Sequence, residues 1–355
     1  MMLRPPSTPN HGSRRDPIDP PSPRGRLSVF CRPVAIAGLA IVALAAGLPG
    51  AARAQGSAAA VDPAPSAVRY RDHVSWLRVN PLFVLPGERV TLEARSTSPA
   101  ELRATGGRSE RLGPRRWAWT APQEAGDHRL ALVPETAAGA DGAGDDAAGV
   151  TFNVFVMVPR SEVRDGVLNG YRIGRYPESA FRGLARYRPP EGFVEVTPEN
   201  RDVRVSPHFR LGDFLCKQPA GWPRYVVLEE RLLWKLEAVI AALHRREGAS
   251  SLHVMSGYRT PHYNAAIGQA RHSRHMYGDA ADVFVDEKPE DGHMDDLNGD
   301  GRETRADARR LYRIADRVAS TSLVDRLIGG MGYYPATPTH GPFVHIDARG
   351  YRARW

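Results

Sequence analysis

Cysteine is nearly absent from this chain, which has Cys31 and Cys216 among its 355 residues. Cys31 lies in an N-terminal segment that we expect to be removed, so one cysteine remains and an internal disulfide is excluded. A lone cysteine within FRLGDFLCKQ is most often a small buried hydrophobe. We therefore expect Cys216 to be a core residue.

A long hydrophobic run is also missing. The apolar stretch at residues 34–48 has 15 residues, whereas a membrane-spanning helix needs roughly 20. An A-x-A-like cleavage site follows it at residues 52–54. We predict a signal peptide with a long n-region at residues 1–54, a linker at residues 55–70, and a periplasmic or secreted mature protein without a stable membrane span. An uncleaved anchor is the alternative.

The mature chain lacks an excess of either charge. Seven Arg and two Asp of the whole chain lie in residues 1–54, which leaves 41 basic and 38 acidic residues in the remainder. This balance supports no basic patch, so we expect no nucleic-acid partner.

Short alternating strand patterns separated by turn residues are present at residues 71–159, and they predict a small β-sandwich. PGERVTL and WAWTAPQEAGDHRL within it weakly resemble bacterial immunoglobulin-like domains. The polar, Gly-rich insert at 136–149 predicts a loop. Residues 160–204 are a Pro/Gly/Tyr-rich connector, whose aromatic residues we expect to pack on the following domain.

From residue 205 onward both helical and strand patterns are present, and after the β-sandwich they indicate an α+β fold class. Apolar residues at helical spacing predict a core helix, and a second amphipathic helix is predicted at residues 306–319. Short strands are predicted at 252–255 and 283–285, and another one around His345. The core-helix residues are Leu228, Leu232, Leu236, Val239 and Leu243.

One short motif carries metal-binding chemistry. Ser273-x-His275-x-x-Gly278-x-Ala280-x-Asp282 sets an imidazole and a carboxylate seven residues apart, with small residues where backbone must approach closely. His345 in GPFVHIDARG is a third candidate ligand. Two His and one Asp would hold Zn²⁺ and leave one position open for water, as in hydrolytic zinc sites.

Together SGYR, SxHxxGxAxD and FVHID resemble the zinc D-alanyl-D-alanine carboxypeptidase family of murein peptidases, in the group that also holds lysostaphin-type endopeptidases and the hedgehog domain. The resemblance covers about residues 205–355, and the C-terminal part is similar to the periplasmic murein endopeptidases. It implies a zinc peptidase domain with a small antiparallel sheet flanked by helices. It also implies that His275, Asp282 and His345 bind zinc and that Arg259 orients the substrate. Tyr258 and Ser273 are further candidates for substrate binding.

The chain departs from the family pattern at the general base. Many relatives carry His-x-His at the last ligand, and others carry a Glu three residues before it, but Phe343 and Pro342 stand here. The remaining candidates are His340, whose imidazole suits proton transfer at neutral pH, and Asp347, on the same strand face as His345. We assign catalysis to His340 and a supporting role to Asp347.

A second metal signal lies between the zinc motifs, where oxygen donors follow the spacing of a calcium loop. The positions are Asp296, Asn298, Asp300, Arg302 through its backbone carbonyl, and Asp307. A solvated acidic turn that caps the following helix is the alternative.

These patterns lead to one functional hypothesis and one alternative. We expect a zinc metallopeptidase that hydrolyses peptidoglycan stem peptides or cross-links, with endopeptidase favoured over D,D-carboxypeptidase activity. The alternative is a zinc-containing module that binds the cell wall without turnover.

Overall fold

The computed structural model describes residues 67–95, 100–134, 149–319 and 327–355. The predicted signal peptide, most of the predicted linker and nearly all of the predicted loop at 136–149 lie outside the described residues.

Nine strands make up the first described part of the chain. They are β1 Val68–Tyr70, β2 His73–Ser75, β3 Val79–Val84, β4 Arg89–Ala94, β5 Ala100–Ala104, β6 Arg108–Gly113, β7 Arg116–Thr120, β8 Gly126–Pro134 and β9 Val150–Val156. They form a five-stranded sheet in the order β2-β1-β4-β7-β6 and a four-stranded sheet in the order β3-β9-β8-β5. One cluster of buried apolar side chains joins the two sheets, as in a β-sandwich. The immunoglobulin-like relationship stays a prediction.

The remainder contains ten strands and three α-helices among the described residues. The strands are β10 Val158–Pro159, β11 Val167–Leu168, β12 Tyr171–Arg172, β13 Gly192–Val196, β14 Arg224–Val226, β15 His253–Ser256, β16 Ala280–Phe284, β17 Gly330–Tyr334, β18 Phe343–Asp347 and β19 Ala353–Arg354. The helices are α1 Glu230–Glu247, α2 Pro261–Ala266 and α3 Arg305–Ala319. The predicted core helix, the second amphipathic helix and the strands leading into SGYR and out of Asp282 are therefore confirmed.

The main sheet has the order β15-β16-β18-β17-β19. All its pairs are antiparallel except β17 with β19, which is parallel. Helices α1 and α3 pack together, and α3 also contacts β17 and β18. Leu232, Leu236, Val239 and Leu243 are fully buried on α1, and Cys216 is also buried. Leu228 is buried too, but it precedes the helix, which begins at Glu230. The expected small sheet flanked by helices is present, with one parallel edge strand.

The segment at 160–204 is more than a connector. Its strand β13 is the central strand of a sheet with β10 and β14, so it pairs directly with a strand beyond residue 205. Tyr171 and Phe193 lie in the same buried cluster as the α1 core residues. The expectation that its aromatic residues pack on the following domain is confirmed, and no structural break occurs at residue 205.

The sandwich also docks on α1. The Trp234 side chain belongs to the apolar cluster of the sandwich, and the His73 ring stacks on it with centroids 3.4 Å apart. Arg71 Nη1 lies 3.4 Å from Glu230 Oε1 at the start of the same helix. The two parts accordingly belong to one compact unit. Among the described residues, no helix is both long and apolar enough to span a membrane.

Trp234→Ala is expected to lower the free energy of unfolding by about 3–5 kcal/mol, because it removes a large buried side chain that α1 inserts into the apolar cluster of the sandwich. Urea unfolding followed by circular dichroism measures this. Trp76→Ala is the matched control, since Trp76 is 63% exposed and should change stability little. Equal denaturation midpoints for Trp234→Ala and wild type would contradict the packing of α1 against the sandwich through Trp234.

Candidate metal centre

Two adjacent strands and one turn bring the three candidate ligands together. Asp282 on β16 and His345 on β18 are direct cross-strand partners, so their side chains project from the same face of the sheet. His275 lies in the short 3-10 turn Arg274–Tyr277 that precedes β16. Gly278 ends this turn at φ +73°, where a Cβ atom would lie 2.4 Å from the Val227 carbonyl oxygen. The motif glycine therefore lets the chain turn tightly from His275 toward Asp282.

The ligand atoms lie within contact distance of one another. His345 Nδ1 is 2.8 Å from Asp282 Oδ1 and 3.2 Å from His275 Nε2, and His275 Nε2 is 3.3 Å from Asp282 Oδ1. Bonds of 2.0–2.1 Å to a tetrahedral Zn²⁺ place ligand atoms about 3.3 Å apart. The three side chains are also buried. Both the donor set and its spacing fit a tetrahedral metal ion.

The other ring nitrogens of the two histidines have partners that fix the tautomers. His275 Nδ1 donates to the Gly257 carbonyl oxygen at 2.7 Å, and His345 Nε2 lies 3.2 Å from Asp347 Oδ2. Each contact holds a proton on the nitrogen that points away from the cluster. In the neutral form of each ring, His275 Nε2 and His345 Nδ1 therefore carry the lone pairs that a metal ion needs.

Asp347 is a fully buried carboxylate with several hydrogen-bond partners. Arg349 Nε donates to Asp347 Oδ2 at 2.8 Å, and the Gly330 backbone N–H donates to Oδ1 at 2.7 Å. Burial alone would raise the pKa of Asp347, but hydrogen bonds from His345 and Arg349 outweigh it and hold that pKa well below its usual value. The side chain is thereby kept as a carboxylate that orients the His345 ring.

The protonation of the cluster follows from the same contacts. Burial lowers the pKa of His275. Burial also acts to lower the pKa of His345, but hydrogen bonds to Asp282 and Asp347 outweigh it and raise that pKa to about 9. Burial would raise the pKa of Asp282, yet the two histidines hold it well below its usual value. Without a metal ion, His345 therefore carries the positive charge that balances Asp282.

Arg259 lies beside the cluster. Its Nη2 donates to Asp282 Oδ2 at 2.5 Å, and its Nε donates to Ser256 Oγ at 3.0 Å. The guanidinium thus fixes the oxygen of Asp282 that faces away from the two histidines. Arg259 therefore orients the carboxylate of Asp282, a candidate metal ligand. Its role in orienting substrate stays a prediction.

A groove of about 1020 Å³ is lined by all three candidate ligands. Arg259, Ser273 and His340 also line it, as expected for residues that meet substrate or a reacting group. Tyr258 does not. Its side chain is only 2% exposed, and its hydroxyl lies 3.1 Å from that of Tyr176. The prediction that Tyr258 binds substrate is corrected, because the ring is packed in the core.

In the predicted calcium loop, the carboxylates accept hydrogen bonds from backbone N–H groups of the loop itself. Asp296 accepts hydrogen bonds from the N–H groups of Gly299 and Gly301, while buried Asp307 accepts from Asn298 and Thr304. Asn298 Nδ2 also donates to Asp300, and the Arg302 N–H donates to Asp300 at 3.0 Å. Among the described residues, one group of three acidic, His or Cys side chains lies close enough to share a metal ion. It consists of His275, Asp282 and His345. Calcium at this loop stays a prediction.

Three residues near the centre were not predicted. Lys235 is fully buried and its Nζ donates to the Asp347 carbonyl oxygen at 2.7 Å. Its position three residues after Leu232 and four before Val239 places a charge on the apolar face of α1, which is a signal that the sequence carries. Arg349 and Trp355 gave no comparable signal, because their approach depends on how the chain folds after β18.

Comparison with known proteins supports one segment. A family model described as Peptidase M15 matches residues 207–298. The match includes His275 and Asp282 and ends before His345. No curated protein matches the chain. These findings support a segment of the M15 zinc peptidase family and point to a metallopeptidase.

Metal uptake should release about one proton per Zn²⁺ at pH 7, because His345 with a pKa of about 9 must lose its proton to bind. The apparent affinity should therefore rise about tenfold per pH unit up to pH 9 and level off above it. Calorimetry in buffers of different ionisation enthalpy measures the released proton. Asp347→Asn should shift the plateau to lower pH by removing one of the carboxylates that raise this pKa. An affinity that does not change between pH 7 and 8 would contradict this charge assignment.

Proposed function

We propose that the protein is a zinc-dependent peptidase that hydrolyses peptide bonds in peptidoglycan stem peptides or their cross-links. The observation that carries the proposal is the His275, Asp282 and His345 cluster, whose metal-facing atoms line an open groove. A structural zinc site is closed by four protein ligands, whereas a catalytic one has three and a free position. Three ligands beside a groove favour catalysis.

These three residues would hold Zn²⁺, which would supply the Lewis-acid chemistry that polarises a scissile carbonyl and activates water. Arg259 holds Asp282 in place through Oδ2, and Asp347 holds His345 through Nε2. Both contacts fix the ligands before substrate arrives, which lowers the cost of reorganisation during the reaction.

His340 is the proposed general base. Its Nδ1 donates to the Gly341 carbonyl oxygen at 2.8 Å, so Nε2 keeps the lone pair that accepts a proton. The residue also lines the groove. Asp347 is less suited to this role, because it is fully buried and already bonded to His345 and Arg349.

An endopeptidase is favoured over a carboxypeptidase. The groove of about 1020 Å³ lies at the upper end of the roughly 300–1,000 Å³ typical of small-molecule sites. This volume favours a substrate that extends on both sides of the scissile bond. We further propose a periplasmic or secreted protein with peptidoglycan as its partner. The signal peptide that the sequence predicts at residues 1–54 supports this location.

A non-catalytic zinc module that binds the cell wall is the second candidate. The observation in its favour is that Pro342 and Phe343 occupy the positions where the resemblance implies a general base. Turnover distinguishes the two candidates.

Zinc-loaded protein incubated with purified muropeptides should convert cross-linked dimers into monomers, as measured by mass spectrometry, and His275→Ala should abolish the conversion. Loss of a terminal D-Ala alone would instead indicate a carboxypeptidase. Zinc-loaded protein that binds peptidoglycan without any hydrolysis would favour the binding module.

His340→Ala is expected to keep zinc and to lower kcat by roughly 100-fold or more, the scale for removing an acid-base group. Asp347→Asn should weaken zinc binding by about 10- to 100-fold above pH 9, where proton competition at His345 is absent in both proteins, because the ligand His345 loses its partner. Steady-state kinetics and elemental analysis measure both effects. His293→Ala is the control, since this exposed histidine lies close to Gly341, the residue that follows His340. The opposite result would be near wild-type kcat in His340→Ala together with loss of kcat and retention of zinc in Asp347→Asn. It would make Asp347 the general base and His340 the supporting residue.

A further inference from the structure

Trp355 is half exposed beside the metal ligands. The residue is 48% exposed and lines the groove, and its ring centroid lies 5.4 Å from that of His345. Tryptophan is usually largely buried. A large apolar ring presented in a groove next to a metal centre is a feature of ligand binding.

The indole is held in place by several contacts. Its Nε1 donates to the Tyr334 hydroxyl, and its backbone N–H donates to the Met331 carbonyl oxygen at 3.3 Å. The Arg349 guanidinium carbon lies 5.0 Å from the ring centroid. The preceding strand β19 pairs with β17, and Arg354 Nε donates to Asp316 Oδ1 of α3 at 2.8 Å. The ring is thus pre-positioned, with its polar N–H satisfied and part of its apolar surface free.

Further aromatic rings extend this surface along the groove. Tyr334 and Phe343 stack with centroids 4.7 Å apart and planes 13° from parallel, and the His340 ring meets Phe343 edge-on at 5.0 Å. We call Trp355, Tyr334 and Phe343 the aromatic wall. The rest of the groove lining includes the polar residues Lys217, Arg259, Gln269 and Ser273 from other elements. One part of the groove therefore suits apolar groups, and another part suits the polar backbone of a peptide.

We propose that Trp355 is a specificity-determining residue, whose indole binds an aliphatic side chain of the substrate peptide next to the scissile bond. This inference rests on the proposed peptidase function and adds a substrate class to it. An aliphatic chain fits because the free surface is apolar, and because the nearby Arg349 is bonded to Asp347 and stacked on the indole. Removing one methylene contact in an apolar pocket changes discrimination by about 10- to 200-fold.

Gly332 offers a way to move the indole without deleting it. A Cβ atom at this position would lie 2.4 Å from Trp355 Nε1. Gly332→Ala should therefore displace the ring while leaving every side chain of the aromatic wall present. Trp222→Ala is a control for loss of a surface tryptophan, since Trp222 is 40% exposed and stacks on Arg224.

The test compares two peptides that share the scissile amide and differ next to it, one with norleucine and one with glycine. For wild type, kcat/KM should favour the norleucine peptide. Trp355→Ala should lower kcat/KM for that peptide about tenfold or more and leave the glycine peptide within about threefold. Gly332→Ala should reproduce this loss of selectivity, and Trp222→Ala should not. All variants should keep the wild-type zinc content and melting temperature.

Two results would overturn the inference. Equal losses for both peptides in Trp355→Ala, with reduced zinc, would mean that the indole only shields His345. Equal affinity of wild type for both peptides would mean that no aliphatic subsite exists. The affinity is measured by calorimetry with non-hydrolysable versions of the same peptides, so it does not depend on turnover. Binding that requires Trp355 without any hydrolysis would support the subsite and reject the peptidase function.

Discussion

The burial of the Asp282 carboxylate is the constraint around which the site is organised. The residue is 4% exposed, and a buried carboxylate is costly unless it is paired and hydrogen-bonded. Its Oδ1 faces His345 and its Oδ2 faces Arg259. In the absence of a metal ion, protonated His345 supplies the balancing charge beside Oδ1. A bound cation would take over that role, and the three ligand atoms already lie at the spacing that it would need.

A further layer of charge lies behind the ligands. The Asp347 side chain bonds to His345 Nε2, which points away from the other ligands. Lys235 Nζ donates to the backbone carbonyl oxygen of Asp347. Burial lowers the pKa of Lys235 to about 8. Next to this layer, Arg274 and Asp279 form a buried ion pair, with Arg274 Nε donating to Asp279 Oδ1 at 2.8 Å. Each of these buried charges thus has a hydrogen-bond partner, and the groups that surround Asp347 come from α1, β18 and the chain after β18. The orientation of His345 consequently depends on α1, β18 and the chain after it.

Local patterns in the sequence predicted α1, α3, β15, β16 and β18, because each follows from spacing within its own segment, whereas α2, β17 and β19 were not predicted. The buried positions of α1 recur every three or four residues, and His275 and Asp282 are separated by one turn. Pairings between distant segments could not be predicted in this way. The strand β13 joins β14 across about 30 residues of chain, and this pairing makes the supposed connector part of the domain.

Tyr258 and Trp355 show the same limit at single residues. The chain between Gly257 and Thr260 is irregular, so no period decides which of Tyr258 and Arg259 faces the groove. Trp355 lies ten residues after His345 and returns to it only because β19 adds to the sheet edge in parallel. The meeting of His345 with the earlier ligands was expected from family resemblance, and the β16–β18 register supplies its physical basis.

The departure from the family pattern and the aromatic wall are two aspects of one substitution. The resemblance implies a histidine where Phe343 stands, beside the last ligand. A phenyl ring there cannot accept a proton, but it stacks on Tyr334 and extends the apolar surface that Trp355 begins. Proton transfer must then come from another group, and the His340 ring packs edge-on against the same Phe343. Under the proposed function, Phe343 therefore provides no base at the metal. It instead contributes to the apolar surface that selects substrate, and it packs against His340, the proposed base.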